Sequence, residues 1–330
     1  MKTLSHPLPR EYRRSIPAGP LFQRVNETVE AERLHTICIS GKCPNRGECF
    51  SRGSLAFMIL GDTCTRHCGF CAVKAGDPAG IVDETEPQRL ARAAAELQLK
   101  HVVVTAVARD DMKDGGASIF AACVRELHQM IPGVCVEVLT SDFNGDTASI
   151  DEVIDAHPDI YNHNIETVER LTPKVRSKAT YRRSLDVLHY VKSCALTPPL
   201  SHRRWERERL TTRRTEGEGK MKIKSGLMLG LGETKEEIRE SLVDLREAGC
   251  EYVTIGQYLQ PSAKHLMIQS FIPIEEFTYW KEEAFRLGFE RVASGPLVRS
   301  SYFADQLHTP TTLPLTPTLS HTGEREIFTQ

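Results

Sequence analysis

Short apolar runs alternate with amphipathic stretches through the middle of the chain. The runs are rich in Val, Ile and Leu, whereas the stretches between them repeat apolar residues every three or four positions. Fully apolar strands that alternate with amphipathic helices are typical of a parallel sheet covered by helices. The predicted strands span 55–61, 101–107, 134–139, 159–164, 223–230 and 251–257. The predicted helices span 87–99, 118–130, 150–156, 181–192, 235–249 and 275–288.

Six strand–helix units without a glycine-rich dinucleotide fingerprint after the first strand favour a partial barrel over a doubly wound sheet. We therefore predict an α/β fold, a partial (β/α)6 TIM-type barrel, over residues 53–305. Residues 1–52 would form an N-terminal arm followed by a cysteine-rich segment, and residues 306–330 a low-complexity C-terminal tail.

Two segments break this alternation, 195–220 and 306–330. They share a repeat, LTPPLSHRRWERE at 196–208 and LTPTLSHTGERE at 315–326, and neither copy has the apolar periodicity of a packed unit. We interpret both as low-complexity additions on the surface. The first lies before a strand, so it is predicted at the N-terminal face of the barrel, away from catalytic loops.

Composition narrows the classes of function. The 42 Lys and Arg nearly balance the 44 Asp and Glu, so no general electrostatic attraction to nucleic acid is expected. With 40% hydrophobic and 26% charged residues the chain can build a sizeable core. No run approaches 18 apolar residues and the first residues lack the pattern of a signal peptide, which predicts a cytoplasmic protein without a membrane partner.

Six of the ten cysteines fall within 34 residues, in two groups of three. In a reducing compartment, clustered cysteines indicate metal binding more often than disulfides. The other four lie in predicted helices and strands or at the edge of the 195–220 segment, and we expect packed thiols there. These four are Cys123, Cys135, Cys194 and Cys250.

The sharper group is a CxxxCxxC motif, Cys64, Cys68 and Cys71, on the loop after the first strand of the barrel. Three thiolates can ligate three irons of a [4Fe–4S] cluster and leave the fourth iron open. Loops at the C-terminal ends of barrel strands carry catalytic groups, which suits an open iron. A structural zinc site is the alternative, and it would need a fourth ligand such as His67. We expect His67 to face outward.

The second group, Cys38, Cys43 and Cys49, precedes the first strand and also lacks a fourth ligand. When this second group is taken together with the CxxxCxxC motif, the chain resembles the lipoyl synthase family of radical S-adenosylmethionine enzymes. The motifs that carry the resemblance are CISGKCPNRGECF (38–50), FMILGDTCTRHCGFC (57–71), RDDMKDGGA (109–117), NHNIETV (162–168), KSGLMLGLGET (224–234), GQYLQPSAKH (256–265) and GPLVRSSY (295–302).

The resemblance implies two [4Fe–4S] clusters. The first, on Cys64, Cys68 and Cys71, would bind S-adenosylmethionine and cleave it to a 5′-deoxyadenosyl radical. That radical would abstract hydrogen from carbons 6 and 8 of an octanoyl chain on a lysine of a lipoyl carrier domain. The second cluster, an auxiliary cluster carried by the N- and C-terminal extensions of the barrel, would donate the sulfur atoms. Its ligands would be Cys38, Cys43, Cys49 and Ser301.

The resemblance also implies partners. The carrier would be a subunit of a 2-oxo acid dehydrogenase or a glycine-cleavage carrier. An electron donor such as ferredoxin or flavodoxin would reduce the first cluster, and an iron–sulfur cluster carrier would restore the second.

The resemblance further implies contacts with S-adenosylmethionine from the loops that follow the strands. A tight strand-to-helix turn is the alternative role for the glycines, and loop capping is the alternative for the residues after the fourth strand. The predicted contacts are Phe70, Asn162, Asn164, Glu166, Gly230, Gly232 and Glu233.

Two other functions stay open from the sequence alone. The second cluster could serve electron transfer only, in which case it would survive turnover. The chain could also be a non-catalytic iron–sulfur or zinc protein that binds a partner through its arm.

Overall fold

The computed structural model describes residue 12, residues 19–196, residues 221–302 and residue 304. Its main sheet has eight strands in the order β1-β2-β5-β6-β7-β8-β9-β10, and a small separate sheet pairs β3 with β4. All neighbours in the main sheet are parallel except β1, which pairs antiparallel with β2 at one edge. The strands are β1 (His35–Thr36), β2 (Ala56–Ile59), β3 (Thr63–Cys64), β4 (Lys74–Ala75), β5 (His101–Ala106), β6 (Cys135–Leu139), β7 (Ile160–Asn162), β8 (Lys222–Leu229), β9 (Tyr252–Gln257) and β10 (Arg291–Gly295).

Helices follow the strands as the alternating pattern predicts. Local sequence signals set several helix ends. The helix Lys235–Glu247, for example, begins with a capping box, in which the side chains of Thr234 and Glu237 each accept a hydrogen bond from the other's backbone amide. The α-helices are α1 (Pro20–Ala31), α2 (Ile37–Ser40), α3 (Arg46–Ser51), α4 (Glu86–Glu96), α5 (Ala117–Met130), α6 (Thr147–Ile154), α7 (Thr172–Val175), α8 (Tyr181–Leu196), α9 (Lys235–Glu247) and α10 (Ile274–Arg286).

The six predicted strands are confirmed, and the structure adds a seventh parallel strand, β10, after the last helix. The sequence of β10, RVASG, has a single fully buried residue, Val292, so it carries no apolar run to be recognised. β10 extends the sheet beside β9 and leads directly into the segment that contains Ser301.

One main hydrophobic cluster runs from Val25 in α1 to Ala304. Phe50, from the cysteine-rich segment, belongs to it and is fully buried. The residues on both sides of the predicted boundary near residue 52 therefore contribute to the same hydrophobic core. Three of the four scattered cysteines are buried as expected and the fourth is half-buried: Cys123, Cys135, Cys250 and Cys194.

The two low-complexity segments lie almost wholly outside the described residues. Their point of attachment is visible in one case, because α8 ends at Leu196 and β8 begins at Lys222. Lys222 pairs with Ile160 at the start of β7, so this connection joins the sheet at its amino-terminal edge. In the part of the chain that the structure covers, no helix is both long and apolar enough to cross a membrane.

Candidate active site

A cavity of about 540 Å³ lies over the carboxyl ends of the barrel strands and brings both cysteine groups together. This shared cavity is the central feature of the site, because one cysteine group precedes β2 in the sequence and the other follows it. The cavity is lined by five of the six clustered cysteines and by the predicted serine: Cys38, Cys43, Cys64, Cys68, Cys71 and Ser301.

The first cysteine loop, residues 63–75, is closed at its base by the β3–β4 pair. The Cys64 sulfur accepts hydrogen bonds from the backbone amides of Arg66 (3.4 Å) and Ala108 (3.3 Å). The Nε2 atom of His265 lies 2.9 Å from the carbonyl oxygen of Cys71, and the backbone of Gly69 is bonded to Val175 at the end of α7 and to Leu266 in the loop after β9. The loop is thus held on several sides while its thiols face the cavity.

Arg66 fixes this loop through a buried charge network. Its guanidinium lies 2.7 Å from a carboxylate oxygen of Asp110, after β5, and 2.7 Å from one of Asp142, after β6. Arg183 and Lys178 complete the network on the two carboxylates. Burial alone would raise the pKa of Asp142, but the neighbouring guanidinium groups outweigh it and hold the pKa at about 2.

The second cysteine segment, residues 37–51, folds into α2 and α3 with Cys43 on the turn between them. The side-chain amide of Asn45 donates to the carbonyl oxygen of Leu297 (2.6 Å), and the Tyr302 hydroxyl lies 3.2 Å from a carboxylate oxygen of Glu48. These bonds attach the segment to residues 297–302, which carry Ser301. The three cysteines and the predicted serine ligand therefore belong to one assembly built from both extensions.

Burial raises the pKa of the Cys38, Cys49 and Cys71 thiols to about 12, and the neighbouring cysteines of each group add to the shift. Among the described residues, no three His, Cys, Asp or Glu side chains are arranged to hold a single metal ion. The thiolate ligands of a [4Fe–4S] cluster bind different irons and therefore lie farther apart than the ligands of a single metal ion. His67 is exposed, as expected.

The residues after β7 divide between the cavity and the barrel interior. Asn164 and Glu166 line the cavity, and the buried Oδ1 of Asn164 has no hydrogen-bond partner in the described part of the chain. Asn162 points instead to the interior, where its amide donates to Glu137 (2.8 Å). His163 also lines the cavity, but its two ring nitrogens contact the Thr140 carbonyl oxygen (3.0 Å) and the Ser184 hydroxyl (2.9 Å). Burial lowers the pKa of His163 to about 4.

The glycine-rich end of β8 forms a turn beside the cavity rather than part of its wall. Glu233 accepts hydrogen bonds from the backbone amides of Gly230 (2.9 Å) and Leu231 (3.1 Å). A side chain at Gly230 would meet the Gln257 amide and the Ser270 carbonyl oxygen, so this glycine serves close packing. Gly230, Gly232 and Glu233 are absent from the lining, and their role toward S-adenosylmethionine stays a prediction.

The glycine of β8 that lines the cavity is Gly226, whereas the sequence predicted Gly230 and Gly232 at the end of the strand. A Cβ atom there would lie 2.3 Å from the Thr254 hydroxyl and 3.1 Å from the unpartnered Oδ1 of Asn164. The bare backbone at Gly226 therefore lets β8 pack closely against Thr254 and Asn164 at the cavity wall. Phe70 lines the cavity as predicted.

Three polar residues that hold the site were not singled out from the sequence. Glu137 and Lys224 form a fully buried ion pair, with Lys224 Nζ 2.8 Å from Glu137 Oε1. Glu137 interrupts the apolar run VCVEVL, and Lys224 begins the KSGLM motif. A single charged residue inside an apolar strand is the sequence signal that could have indicated a buried ion pair. Arg66, inside the CxxxCxxC motif, is the third.

Comparison with known proteins decides the family. Residues 58–203 match the Radical SAM superfamily model. The chain is 47% identical over 293 residues to a lipoyl synthase of Thermus thermophilus, covering 88% of this chain and 84% of the relative. It is 49% identical to a lipoyl synthase of Caldanaerobacter subterraneus, covering 86% of this chain and 91% of the relative. The chain belongs to the lipoyl synthase family.

Solved structures agree on the fold. Methylornithine synthase superposes with a TM-score of 0.51 at 12% identity, covering 87% of this chain and 84% of that chain. SuiB of Streptococcus suis, in a structure bound to S-adenosylmethionine, gives a TM-score of 0.51 at 13% identity, covering 82% of this chain and 60% of that chain. These distant matches support the partial-barrel architecture predicted from the alternating pattern.

The residues present fit the cofactors of a lipoyl synthase, two [4Fe–4S] clusters and S-adenosylmethionine. The donor set of the cavity has a thiol triplet on the first cysteine loop, two further thiols from the second cysteine segment and the hydroxyl of Ser301. Next to them lie an unpartnered acceptor on Asn164, the half-buried carboxyl group of Glu166 and the backbone of Gly226. Such acceptors suit the hydroxyl and ammonium groups of S-adenosylmethionine.

Proposed function

We propose that this chain is a lipoyl synthase, which inserts two sulfur atoms at carbons 6 and 8 of an octanoyl chain attached to a lipoyl carrier protein, with S-adenosylmethionine as co-substrate. The observation that carries the proposal is the single cavity lined by cysteines of both triplets and by Ser301. Close relatives of the lipoyl synthase family over most of the chain support it.

The roles of the ligands follow from their positions. Cys64, Cys68 and Cys71 would hold the first cluster, and Cys38, Cys43, Cys49 and Ser301 the auxiliary cluster. When bound, the first cluster supplies the electron for cleavage of S-adenosylmethionine and the second supplies the sulfur atoms. A serine oxygen is a weaker iron ligand than a thiolate, which suits a cluster that must release sulfur.

The remaining cavity residues bind and orient. Asn164 and Glu166 would accept hydrogen bonds from the ribose hydroxyls or the ammonium group of S-adenosylmethionine, and the backbone of Gly226 lines the cavity beside them. The other predicted contacts do not line the cavity and would support the residues that do: Asn162, Gly230, Gly232 and Glu233. Phe70, within the first cysteine loop, would pack against the bound molecule.

An aliphatic substrate needs an apolar wall, and the cavity has one. Apolar side chains of β2 and β8, of the residue directly after β5 and of the loop after β9 line it, so an octanoyl chain can be bound while water is excluded from the reacting carbons. The side chains are Met58, Val107, Met228, Ile268 and Phe271.

Partners beyond the carrier belong to the same proposal. An electron donor such as ferredoxin or flavodoxin would deliver electrons, and an iron–sulfur cluster carrier would rebuild the auxiliary cluster in the cytoplasm. The carrier would be the lipoyl domain of a 2-oxo acid dehydrogenase subunit or a glycine-cleavage carrier.

The decisive experiment is anaerobic reconstitution followed by incubation with an octanoylated carrier peptide, dithionite and S-adenosylmethionine. Mass analysis should show a peptide in which two sulfurs replace two hydrogens. Loss of sulfide from the protein during a single turnover should accompany it, because an electron-transfer cluster would be retained. Cleavage of S-adenosylmethionine without any sulfur in the peptide would contradict the proposal, as would zinc in place of iron and sulfide.

A further inference from the structure

The buried pair of Glu137 and Lys224 reaches the loop that contains Ser301. Lys224 Nζ donates to both carboxylate oxygens of Glu137 (2.8 and 3.0 Å) and to the backbone carbonyl oxygen of Ser300 (2.7 Å). An ammonium group has three donors, so these three contacts satisfy it completely. One of the three bonds of this lysine therefore ends on the residue directly before the predicted serine ligand.

Glu137 is fixed in turn by its neighbours in the barrel. The Asn162 amide donates to Glu137 Oε1 (2.8 Å), and His101 Nε2 lies 3.4 Å from Oε2. Burial alone would raise the pKa of Glu137, but Lys224 and His101 outweigh it and lower the pKa to about 2, so the carboxylate is ionised at neutral pH. The anchor thus rests on β5, β6, β7 and β8 at once.

Stability alone does not account for such a pair. Replacing a buried ion pair by packed apolar residues of similar volume is often neutral or stabilising, because desolvation of two charges offsets their attraction. What an apolar pair would not provide is a donor at the end of a long side chain, aimed at the carbonyl oxygen of Ser300.

Residue 300 is held at a second point. The Asn164 side-chain amide donates to the Ser300 hydroxyl (2.6 Å), and the Tyr302 hydroxyl contacts Glu48 of the second cysteine segment. Ser301 therefore lies between two anchored neighbours, one on the barrel strands and one on the cysteine segment.

We propose that Lys224, held by Glu137, is a positioning residue that sets the backbone of Ser300 and thereby places the Ser301 hydroxyl for the auxiliary cluster. The inference rests on the proposed function in taking Ser301 as the fourth ligand. It adds the prediction that the interior of the barrel, and not only the two extensions, controls how firmly the auxiliary cluster is held.

The test measures each cluster separately and needs no substrate. One background replaces Cys64, Cys68 and Cys71 by Ala, so that only the auxiliary cluster assembles, and the other replaces Cys38, Cys43 and Cys49. Into both we introduce Lys224→Met together with Glu137→Gln, which removes both charges and the donor to Ser300. After anaerobic reconstitution, iron and sulfide content and the rate of iron release to a chelator are measured.

The double variant should release iron about tenfold faster from the auxiliary cluster, the effect of losing one hydrogen bond to a charged donor, and at the parental rate from the first cluster. Equal acceleration for both clusters would overturn the proposal, since a general loss of stability affects both. An unchanged auxiliary rate would also overturn it.

Glu137→Gln alone is the matched control, because Lys224 keeps its nitrogen as the donor to Ser300 and an amide oxygen remains as its acceptor. Its auxiliary cluster should release iron more slowly than that of the double variant, and any general loss of stability from the unpaired ammonium group should appear in both clusters. An auxiliary rate equal to that of the double variant would refute a role for the lysine donor. If the double variant does not fold, Lys224→Gln together with Glu137→Gln decides, because the two amides can still bond each other while the shorter side chain at 224 no longer reaches the Ser300 carbonyl oxygen. Faster release confined to the auxiliary cluster supports the proposal, and unchanged release refutes it. The failure of sulfur insertion would leave these results untouched.

Discussion

The two cysteine segments that face the cavity are anchored in different ways. The first cysteine loop is bound to the barrel by the Arg66 network, by His265 and by backbone bonds to neighbouring loops. The second cysteine segment packs on the main core through Phe50, but its side-chain hydrogen bonds go to residues 297–302, through Asn45 and Leu297 and through Glu48 and Tyr302. The first segment is bonded to the loops of the barrel, whereas the second shares its side-chain bonds with the segment that carries Ser301.

This difference matches the proposed roles. A cluster that cleaves S-adenosylmethionine in every cycle must keep its geometry, and catalytic groups on rigid elements keep it best. A cluster that gives up sulfur must be opened and rebuilt, which is easier where the ligands come from separate segments. The comparison predicts that damage to each segment should affect a different part of the reaction.

Removing single ligands should give the largest and most selective effects. Cys71→Ala should abolish both cleavage of S-adenosylmethionine and product formation, because it removes a ligand of the first cluster. Cys38→Ala should abolish product formation while cleavage continues, and Ser301→Ala should reduce product formation more than cleavage. Methionine, 5′-deoxyadenosine and peptide mass measured in the same anaerobic reaction separate these outcomes. Equal loss of cleavage and product in Ser301→Ala would contradict the sulfur-donor role of its cluster.

The Arg66 network provides the next largest effect. Arg66→Ala leaves Asp142 buried with fewer partners, and breaking a buried ion pair on one side costs about 3–5 kcal/mol. We expect a clear drop in Tm and weaker iron retention by the first triplet in protein that still folds. Arg182→Ala is the matched control, since its pair with Glu169 is solvent-exposed. A parental Tm for Arg66→Ala would show that the network is not a structural anchor.

How far the sequence predicts this site depends on the kind of residue. Cysteine spacing and the apolar runs fix the barrel strands and the two triplets because both are periodic or motif-like signals. The interior pair of Glu137 and Lys224 is harder, since each charge sits in a different strand and only the fold brings them together. β10 is missed for a related reason, because its partners rather than its own composition make it a strand.

Motif position also proved less specific than motif identity. The glycine-rich stretch at the end of β8 does contribute to the cavity, but through Gly226 rather than Gly230 or Gly232. Only the pairing of β8 with β9, which brings Thr254 opposite Gly226, shows which glycine faces the cavity. Sequence alone does not contain that register.

A smaller effect concerns pH and the scaffold side of the comparison. His163 has a lowered pKa of about 4, so it is neutral in the folded protein at neutral pH and its unfolded form takes up a proton below about 6.5. Stability contributed by the neutral imidazole is therefore complete above that value and is lost as the pH falls from about 6.5 to 4, by about 3 kcal/mol in all. Thermal unfolding of the parent and of His163→Gln across this range should show a weaker pH dependence in the variant. Parallel curves would contradict the assignment.

The smallest effect is expected from the 195–220 segment, which joins the sheet at the edge opposite both cysteine segments. α8 ends at Leu196 and β8 begins at Lys222, at the amino-terminal edge, whereas the cysteines lie over the carboxyl ends. Deleting 197–219 should leave the rate of product formation per folded protein unchanged. Stability should rise by only about 1–2 kcal/mol, since the cost of closing a connection grows with the logarithm of its length.

The deletion is assayed beside the full chain, with Cys64→Ala in the deleted chain as the inactive control. Thermal unfolding and peptide mass analysis then report stability and activity separately. Activity that appeared only after the deletion would show that the inserted residues reach the cavity despite their attachment at the far edge. Equal activity in both chains would mean that distance from the carboxyl ends of the strands, and not the extent of the insertion, decides what a barrel of this kind tolerates.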